Sequence, residues 1–222
     1  MFLEQSQINA FESGYVGANT RLRRLFQVFL LSAECGVFSF RRILPWPLTE
    51  VARLRVRQLT PSDASSFQAL RLAGLKETPT SFASSYEEEV QHSPEDIANR
   101  LTAKDDRGVF GAFEGARLVG MVGVGRESLA KLRHKAFLWG VYVAAEKRNA
   151  GVGRILLGEA IGFARSVPGI TQVNLSVNAC NHAAIRLYAS FGFQQFALEP
   201  ASMIVDGKPY DEVHMSLRFG LR

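Results

Sequence analysis

The sequence predicts a three-layer α/β domain over residues 53–222, with helices on both faces of a central sheet. Three observations carry this prediction. Short apolar runs typical of strands recur along this part of the chain, amphipathic helical segments lie between them, and glycine or proline marks most of the turns. The predicted order is β-α-α-β-β-β-α-β-α-β-β, which is typical of a sheet covered by helices on both sides.

The first elements follow from alternation and helix-start signals. Residues 53–59 alternate in polarity, as expected of a short strand. Thr60-Pro61-Ser62-Asp63 then predicts a helix start, because Thr60 can cap, proline suits the first turn and an acidic residue favours the positive end of the helix dipole. Ser93-Pro94-Glu95-Asp96 repeats this signal for a second helix that reaches about Leu101.

The remaining strands are predicted from apolar runs and their turns. Residues 109–113 and 118–124 form a hairpin joined at Glu114-Gly115, and residues 136–143 form an almost uncharged strand. Residues 171–177 form another strand. The last two, over 193–198 and 210–219, are linked through Asp206-Gly207.

Two more helices lie between these strands. One follows Gly151 and Gly153, and the other spans Asn181–Phe191. Each has apolar residues at helical spacing, which predicts one buried face. These are Val152, Leu156, Ala160 and Phe163 in the first, and Ala184, Leu187, Tyr188 and Phe191 in the second.

Composition excludes several classes of protein. Of the 222 residues, 47% are hydrophobic and 21% charged, which rules out wholesale disorder and collagen-like repeats. Cys35 and Cys180 cannot build a disulfide scaffold, and no Cys/His cluster has zinc-ligand spacing, so we expect no metal. The net charge of +5 suits an anionic small ligand. Because no stripe of Lys and Arg with interleaved aromatic residues is present, we expect no nucleic-acid partner.

Residues 1–52 are predicted to be an extension outside the domain. The apolar stretch Leu25–Phe40 is 16 residues long, shorter than the roughly 20 that a membrane-spanning helix needs. It fits a signal peptide poorly, since it starts late and contains Glu34, and we expect a cytoplasmic protein. A loosely attached extension, an amphipathic helix docked on the domain or a partner, and translation from an upstream start remain open.

The segment 141–154 carries the strongest chemical signal. A predicted strand enters a basic, glycine-containing turn that opens a helix, where unpaired N–H groups and the helix dipole favour an anion. With Arg148 and Arg154, this predicts a pyrophosphate cradle. The dinucleotide fingerprint fails at Leu156, and the ATP-type loop fails because Glu159 follows Gly158. A simple tight turn with no ligand is the alternative.

A second segment identifies the family. Residues 181–193 resemble the Asn-x-x-Ala-x-x-Leu-Tyr…Gly-Phe signature of the GNAT superfamily of acyl-CoA-dependent N-acyltransferases, and residues 148–153 match that superfamily's Arg/Gln-x-x-Gly-x-Gly/Ala loop. The two motifs lie in the expected order, one strand apart. The resemblance extends over about residues 53–222, and residues 1–52 lie outside it.

The resemblance implies a fold and a cofactor site. The central sheet would be mixed and mostly antiparallel, with its fourth strand (136–143) splayed from the fifth to leave a cleft for acetyl-CoA. Backbone groups of two strand residues would pair with the pantetheine arm, N–H groups of the loop would hold the pyrophosphate, and one asparagine would contact the arm. These residues are Val141 and Val143, then Arg148, Asn149, Ala150, Gly151, Val152, Gly153 and Arg154, and finally Asn181.

The resemblance also implies a catalytic residue. Tyr188 matches the general acid that protonates the departing CoA thiolate; the alternative is a tyrosine of the core. For Asn181, the alternative to a cofactor contact is a helix N-cap, and both roles could hold. The strand 136–143 lacks the carboxylate that some members use as a base. Other titratable side chains are candidates, and none is assigned: Glu87, Glu88, Glu89, His134 and His214. Cys180 is not expected to be a nucleophile.

The predicted function is transfer of acetyl from acetyl-CoA to a primary amine by direct attack in a ternary complex. The acceptor is a small molecule or a peptide or protein amine, and the protein is a monomer or a homodimer. Phe82, Tyr86 and Glu88 are weak candidates for acceptor contacts, with a surface turn as the alternative. The rival interpretation is a non-catalytic CoA-binding or interaction module that kept the fold.

Overall fold

The computed structural model describes residues 54–220 of the chain. The interpretations of residues 1–52, including the stretch Leu25–Phe40, lie outside the described residues. The strands are β1 (Leu54–Gln58), β2 (Arg107–Glu114), β3 (Arg117–Arg126), β4 (Lys135–Val143), β5 (Gln172–Asn178), β6 (Gln194–Val205) and β7 (Lys208–Arg218). The helices are α1 (Ala64–Glu77), α2 (Tyr86–Glu89), α3 (Pro94–Leu101), α4 (Val152–Ser166) and α5 (His182–Ala189).

The described strands form one mixed sheet in the order β1-β2-β3-β4-β5-β7-β6. Neighbouring strands are antiparallel except β4 and β5, which are parallel. This confirms the predicted mostly antiparallel α/β sheet. The β6–β7 hairpin closes at the predicted Asp206-Gly207 turn, where both residues have positive φ values of 51° and 72°, as a two-residue turn between twisted strands requires.

Two apolar clusters place helices on both faces. One cluster joins α4 and α5 to the sheet and includes Leu156, Val173 and Tyr188. The other contains residues from α1, α3 and the sheet, among them Phe67 and Tyr142. None of the described helices is long and apolar enough to cross a membrane.

The fourth and fifth strands separate after a short paired region. β4 and β5 pair only through three residue pairs, the last of which is Phe137 with Asn174. Just beyond this last pair, β4 contains a bulge. Between the pairs Trp139–Gly123 and Tyr142–Met121, β4 has one residue more than β3. Gly140 adopts φ +61° there, the left-handed conformation that a glycine bulge uses to bend a strand. The bulge lies where β4 leaves β5, and the expected splay is confirmed.

Capping groups fix the helix starts. The carboxylate of Asp63 accepts hydrogen bonds from the Thr60 N–H at 2.8 Å and from two guanidinium nitrogens of Arg57 at 2.7 Å each. Ser93 caps α3 as predicted. The structure adds the short helix α2, and it ends α5 at Ala189 rather than at Phe191. The chain turns at Gly192, whose φ is +93°, so Phe191 packs from outside the helix.

Candidate active site

The gap between β4 and β5 opens into a cavity of about 860 Å³. Its walls are the end of β4, the turn into α4, the start of α5 and the segment that follows α1. The segment after α1 reaches across to β5, where the Asn178 side chain donates a hydrogen bond to the Thr80 carbonyl at 3.0 Å. The cavity is therefore bounded by both splayed strands and by helices from both faces of the sheet.

Unpaired backbone donors face this cavity at the start of α4. Gly151 precedes the helix with φ +81°, and Asn149 also has a positive φ of 62°. Among the described hydrogen bonds, none uses the backbone N–H groups of residues 149–154; the first helical bond runs from Ile155 to the Gly151 carbonyl. Such groups at a helix N-terminus form an anion site.

Charged side chains surround these donors. Within residues 54–220, the cavity lining includes three cations, Lys147, Arg148 and Arg154, and a single carboxylate, Glu77. Arg154 donates to the Ser190 hydroxyl at 3.0 Å and lies over the Phe191 ring. The positive excess favours an anionic ligand.

The carboxylate of Glu77 organises one side of the cavity. Its Oε2 accepts hydrogen bonds from the Tyr142 hydroxyl at 2.5 Å and from Arg148 Nη2 at 2.7 Å. The Tyr142 hydroxyl, and then Arg148, hold the pKa of Glu77 below its ordinary value. Burial, reinforced by Glu77, raises the pKa of Tyr142 to about 12. At neutral pH, Glu77 is therefore an anion and Tyr142 a neutral donor.

The structure brings together most of the residues predicted to hold the cofactor. All of those residues line the cavity except Ala150, which packs against the core under α4. The Val143 carbonyl already accepts a hydrogen bond from Arg148 Nε at 3.1 Å. Asn181 lines the cavity and also caps α5, since its Oδ1 accepts from the Ala184 N–H at 3.1 Å. The N-cap role considered from the sequence is thus present.

Tyr188 is buried and is not among the described residues that line the cavity. It is 6% exposed, and its ring packs edge-on against Phe193 with centroids 6.0 Å apart. Burial raises the pKa of Tyr188 to about 12. No hydrogen bond joins its hydroxyl to another described residue. The phenol is therefore protonated at neutral pH. Its hydroxyl donates no hydrogen bond to an acceptor among the described residues.

The weak acceptor candidates lie outside the cavity lining. Phe82 is buried against the Tyr142 ring and Arg71. Tyr86 is half-buried beneath Lys76, and Glu88 exchanges hydrogen bonds with Ser85 to cap α2. Their role as acceptor contacts stays a prediction.

The candidate bases occupy different surroundings. Glu89 is buried and ion-paired with Arg71 and Arg100; burial acts to raise its pKa, but the two arginines outweigh burial and the net pKa is lowered. Glu87 and His134 are exposed. His214 is hydrogen-bonded on two sides. Cys180 lines the cavity, but no described hydrogen bond links its sulfur to a base.

Several residues of the cavity wall were not assigned to the site from the sequence, among them Glu77, Tyr142 and Asn178. Glu77 ends α1, and no local pattern shows that this end meets β4, 65 residues along the chain. Tyr142 lies within a recognised strand, but its partner cannot be read from strand periodicity. Within the described residues, no group of His, Cys, Asp and Glu is placed to hold a metal ion.

Comparison with known proteins agrees with this fold. The acetyltransferase (GNAT) family model matches residues 75–193, more than half of the chain, and the chain belongs to this family. The resemblance drawn from the two motifs is confirmed, and with it the expectation of an acetyl-CoA-dependent class of enzyme.

Individual proteins of the same kind are similar to this chain in sequence and in structure. The N-alpha-acetyltransferase RimI of Mycobacterium tuberculosis is 36% identical over 110 residues, which cover 49% of this chain and 66% of RimI. A GNAT-family acetyltransferase of Streptococcus pneumoniae superimposes with TM-score 0.67 at 25% identity, over 75% of this chain and 99% of that one. A ribosomal-protein-alanine N-acetyltransferase of Brucella melitensis has TM-score 0.61 at 25% identity, over 74% and 99%.

Proposed function

We propose that the protein transfers acetyl from acetyl-CoA to a primary amine. The observation that carries the proposal is the set of unpaired N–H groups at residues 149–154, all of which except Ala150 line the cavity between two splayed strands. A pyrophosphate fits these donors and the adjacent arginines. The pantetheine arm would then run along the free edge of β4 at Val141 and Val143, beside Asn181.

Catalysis would combine positioning with proton transfer. The amine attacks the thioester carbonyl directly, so that the N–C bond forms, the C–S bond breaks and no acetyl-enzyme is made. Holding the two reactants together supplies much of the rate. Tyr188 gives its proton to the departing thiolate, and its raised pKa makes this transfer dependent on C–S cleavage having begun.

An α-amino group of a peptide or protein is the acceptor class to test first. The matched RimI is an N-alpha-acetyltransferase, and the Brucella structure is of a ribosomal-protein-alanine N-acetyltransferase. The chain covers 66% of that RimI, and the acceptor is therefore proposed as a class rather than as a particular protein.

Thiol release from acetyl-CoA with a panel of amines tests the function. The panel holds peptides with different N-terminal residues, lysine side-chain peptides, polyamines and free amino acids, and the acetylated product is identified by mass. We expect turnover with one class and little with the others. Tight CoA binding without turnover on any amine would support a binding module instead.

A further inference from the structure

A row of three polar side chains crosses the sheet beside the cleft. Ser176 on β5, His214 on β7 and Glu199 on β6 lie on neighbouring strands and are joined by two hydrogen bonds. Ser176 Oγ lies 3.0 Å from His214 Nδ1, and His214 Nε2 lies 2.7 Å from Glu199 Oε2. We call these three residues the polar row.

The polar row lies on the face of the sheet opposite α4 and α5. The neighbours of Ser176 and His214 along their strands, such as Leu175 and Met215, are buried in the cluster beneath these helices. Since side chains alternate along a strand, Ser176 and His214 point to the other face. Ser176 and Glu199 are exposed and the His214 side chain is 26% exposed, so a bound molecule can reach the row.

The polar row begins where the cleft opens. Asn174 is the last residue of β5 that pairs with β4, and Asn178 lines the cavity. Ser176 lies between them on the same face, about 6.6 Å from each at roughly 3.3 Å per residue. Its strand has no partner on the β4 side at this level, so the row starts just beyond the last residue pair that joins β4 and β5.

The hydrogen bonds fix the direction in which a proton can move. An ionised carboxylate only accepts, so the 2.7 Å contact places the proton of a neutral imidazole on Nε2. Nδ1 is then an acceptor, and the Ser176 hydroxyl donates to it. On the same face, Glu212 lies two residues earlier on β7 and is bonded to Ser202. The Phe196 ring on β6 lies with its centroid 6.0 Å from that of the imidazole.

We propose that His214, reached through Ser176 and oriented by Glu199, takes the proton that the acceptor amine loses. The proposal rests on the proposed acetyl transfer and deepens it. As nitrogen bonds to the thioester carbon, one N–H proton passes to the Ser176 oxygen while the Ser176 proton passes to Nδ1. The C–S bond then breaks, the thiolate takes the Tyr188 proton, and water returns a proton to Tyr188 and removes one from His214.

Substitutions along the row test the proposal, with the most active amine and acetyl-CoA as substrates. We expect His214→Gln to lower kcat/KM on the order of 10²-fold, to leave the Kd for acetyl-CoA unchanged and to change the shape of the pH profile of kcat/KM. His92→Gln, which alters an exposed histidine elsewhere, should change none of these. Ser176→Ala should lower kcat/KM less, because water can replace the hydroxyl.

Glu199→Gln alters a side chain that is 54% exposed, so this variant should fold like the wild type. Its amide can donate to Nε2 and move the imidazole proton to Nδ1, so activity should fall while the melting temperature stays the same. Wild-type rates and pH profiles in both His214→Gln and Glu199→Gln would overturn the proposal that the polar row removes the amine proton. The proposed acetyl transfer would not be affected by that result. A wild-type protein that acetylates no amine would overturn both.

Discussion

Arg148 and Glu77 form an ion pair inside the cavity, with Nη2 and Oε2 2.7 Å apart. The pair places a carboxylate beside the donors proposed to receive a pyrophosphate. It also fixes the guanidinium, which is bonded to the Val143 carbonyl as well. In the free protein, the Glu77 carboxylate therefore holds Arg148 in place. The cofactor phosphates must either displace this carboxylate or bind beside it.

We expect Glu77→Gln to strengthen acetyl-CoA binding. The substitution removes a negative charge next to the pyrophosphate site and keeps a group that can bond Tyr142. The pair is more than a third exposed, so the gain should be modest, about 2–5-fold in Kd at low salt, and smaller at high salt. Calorimetry at two salt concentrations measures it, with the exposed Glu87→Gln as the control. Weaker binding would mean that Glu77 orients Arg148 for the cofactor.

Gly151→Val should weaken acetyl-CoA binding by about 2 kcal/mol, because a β-branched residue is strained at positive φ and the loop would turn its N–H groups away. A Cβ at Gly151 meets no atom within 4 Å, so strain and the ligand, rather than a clash with the protein, set the cost. Gly162→Val, in open space on the same helix, is the matched control and should bind normally. Equal affinities of the two variants would remove the phosphate-loop assignment.

Tyr188→Phe should lower kcat by about 10²–10⁴-fold with little change in acetyl-CoA affinity, the pattern of an interaction made only in the transition state. The ring that packs on Phe193 is retained, and the melting temperature should hold. Steady-state kinetics with calorimetry and thermal unfolding separate these quantities. A drop in stability without a drop in kcat would make Tyr188 a structural residue.

Asp63→Asn should destabilise the fold by about 1–3 kcal/mol at pH 7, since it breaks a bidentate pair with Arg57 that is partly buried. The Arg57 hydrogen bonds hold the pKa of Asp63 well below its ordinary value. A lowered folded pKa gives stability that is full above the unfolded pKa of about 4 and is lost as pH falls below it.

Urea unfolding of Asp63→Asn at several pH values checks this dependence. The difference from wild type should shrink as pH falls from about 4. Asp96→Asn, at the exposed cap of α3, should cost less throughout. A difference that stays constant down to pH 2 would show that the charge of Asp63 is not the source of the stability.

Local signals predicted the strands, most helix starts and the phosphate loop, because period-two alternation, capping residues and glycine turns are encoded within a few residues. The bulge at Gly140 was missed, since a glycine inside an apolar strand does not reveal the sign of its φ. Helix α2 was missed although Ser85 and Glu88 have capping-box spacing. The position of Glu77 in the cavity wall and the hydrogen bonds of His214 to Ser176 and Glu199 depend on contacts between distant segments, which periodicity does not encode.

Backbone N–H groups at the start of α4 are proposed to hold the CoA pyrophosphate, and backbone amide NMR can observe each of these groups separately. On titration with CoA, the ¹⁵N–¹H signals of residues 149–154 should show the largest shifts and should saturate together with the binding isotherm. Pantetheine, which lacks the pyrophosphate, should leave these signals nearly unchanged. CoA that binds while the signals of residues 149–154 stay in place would contradict the account.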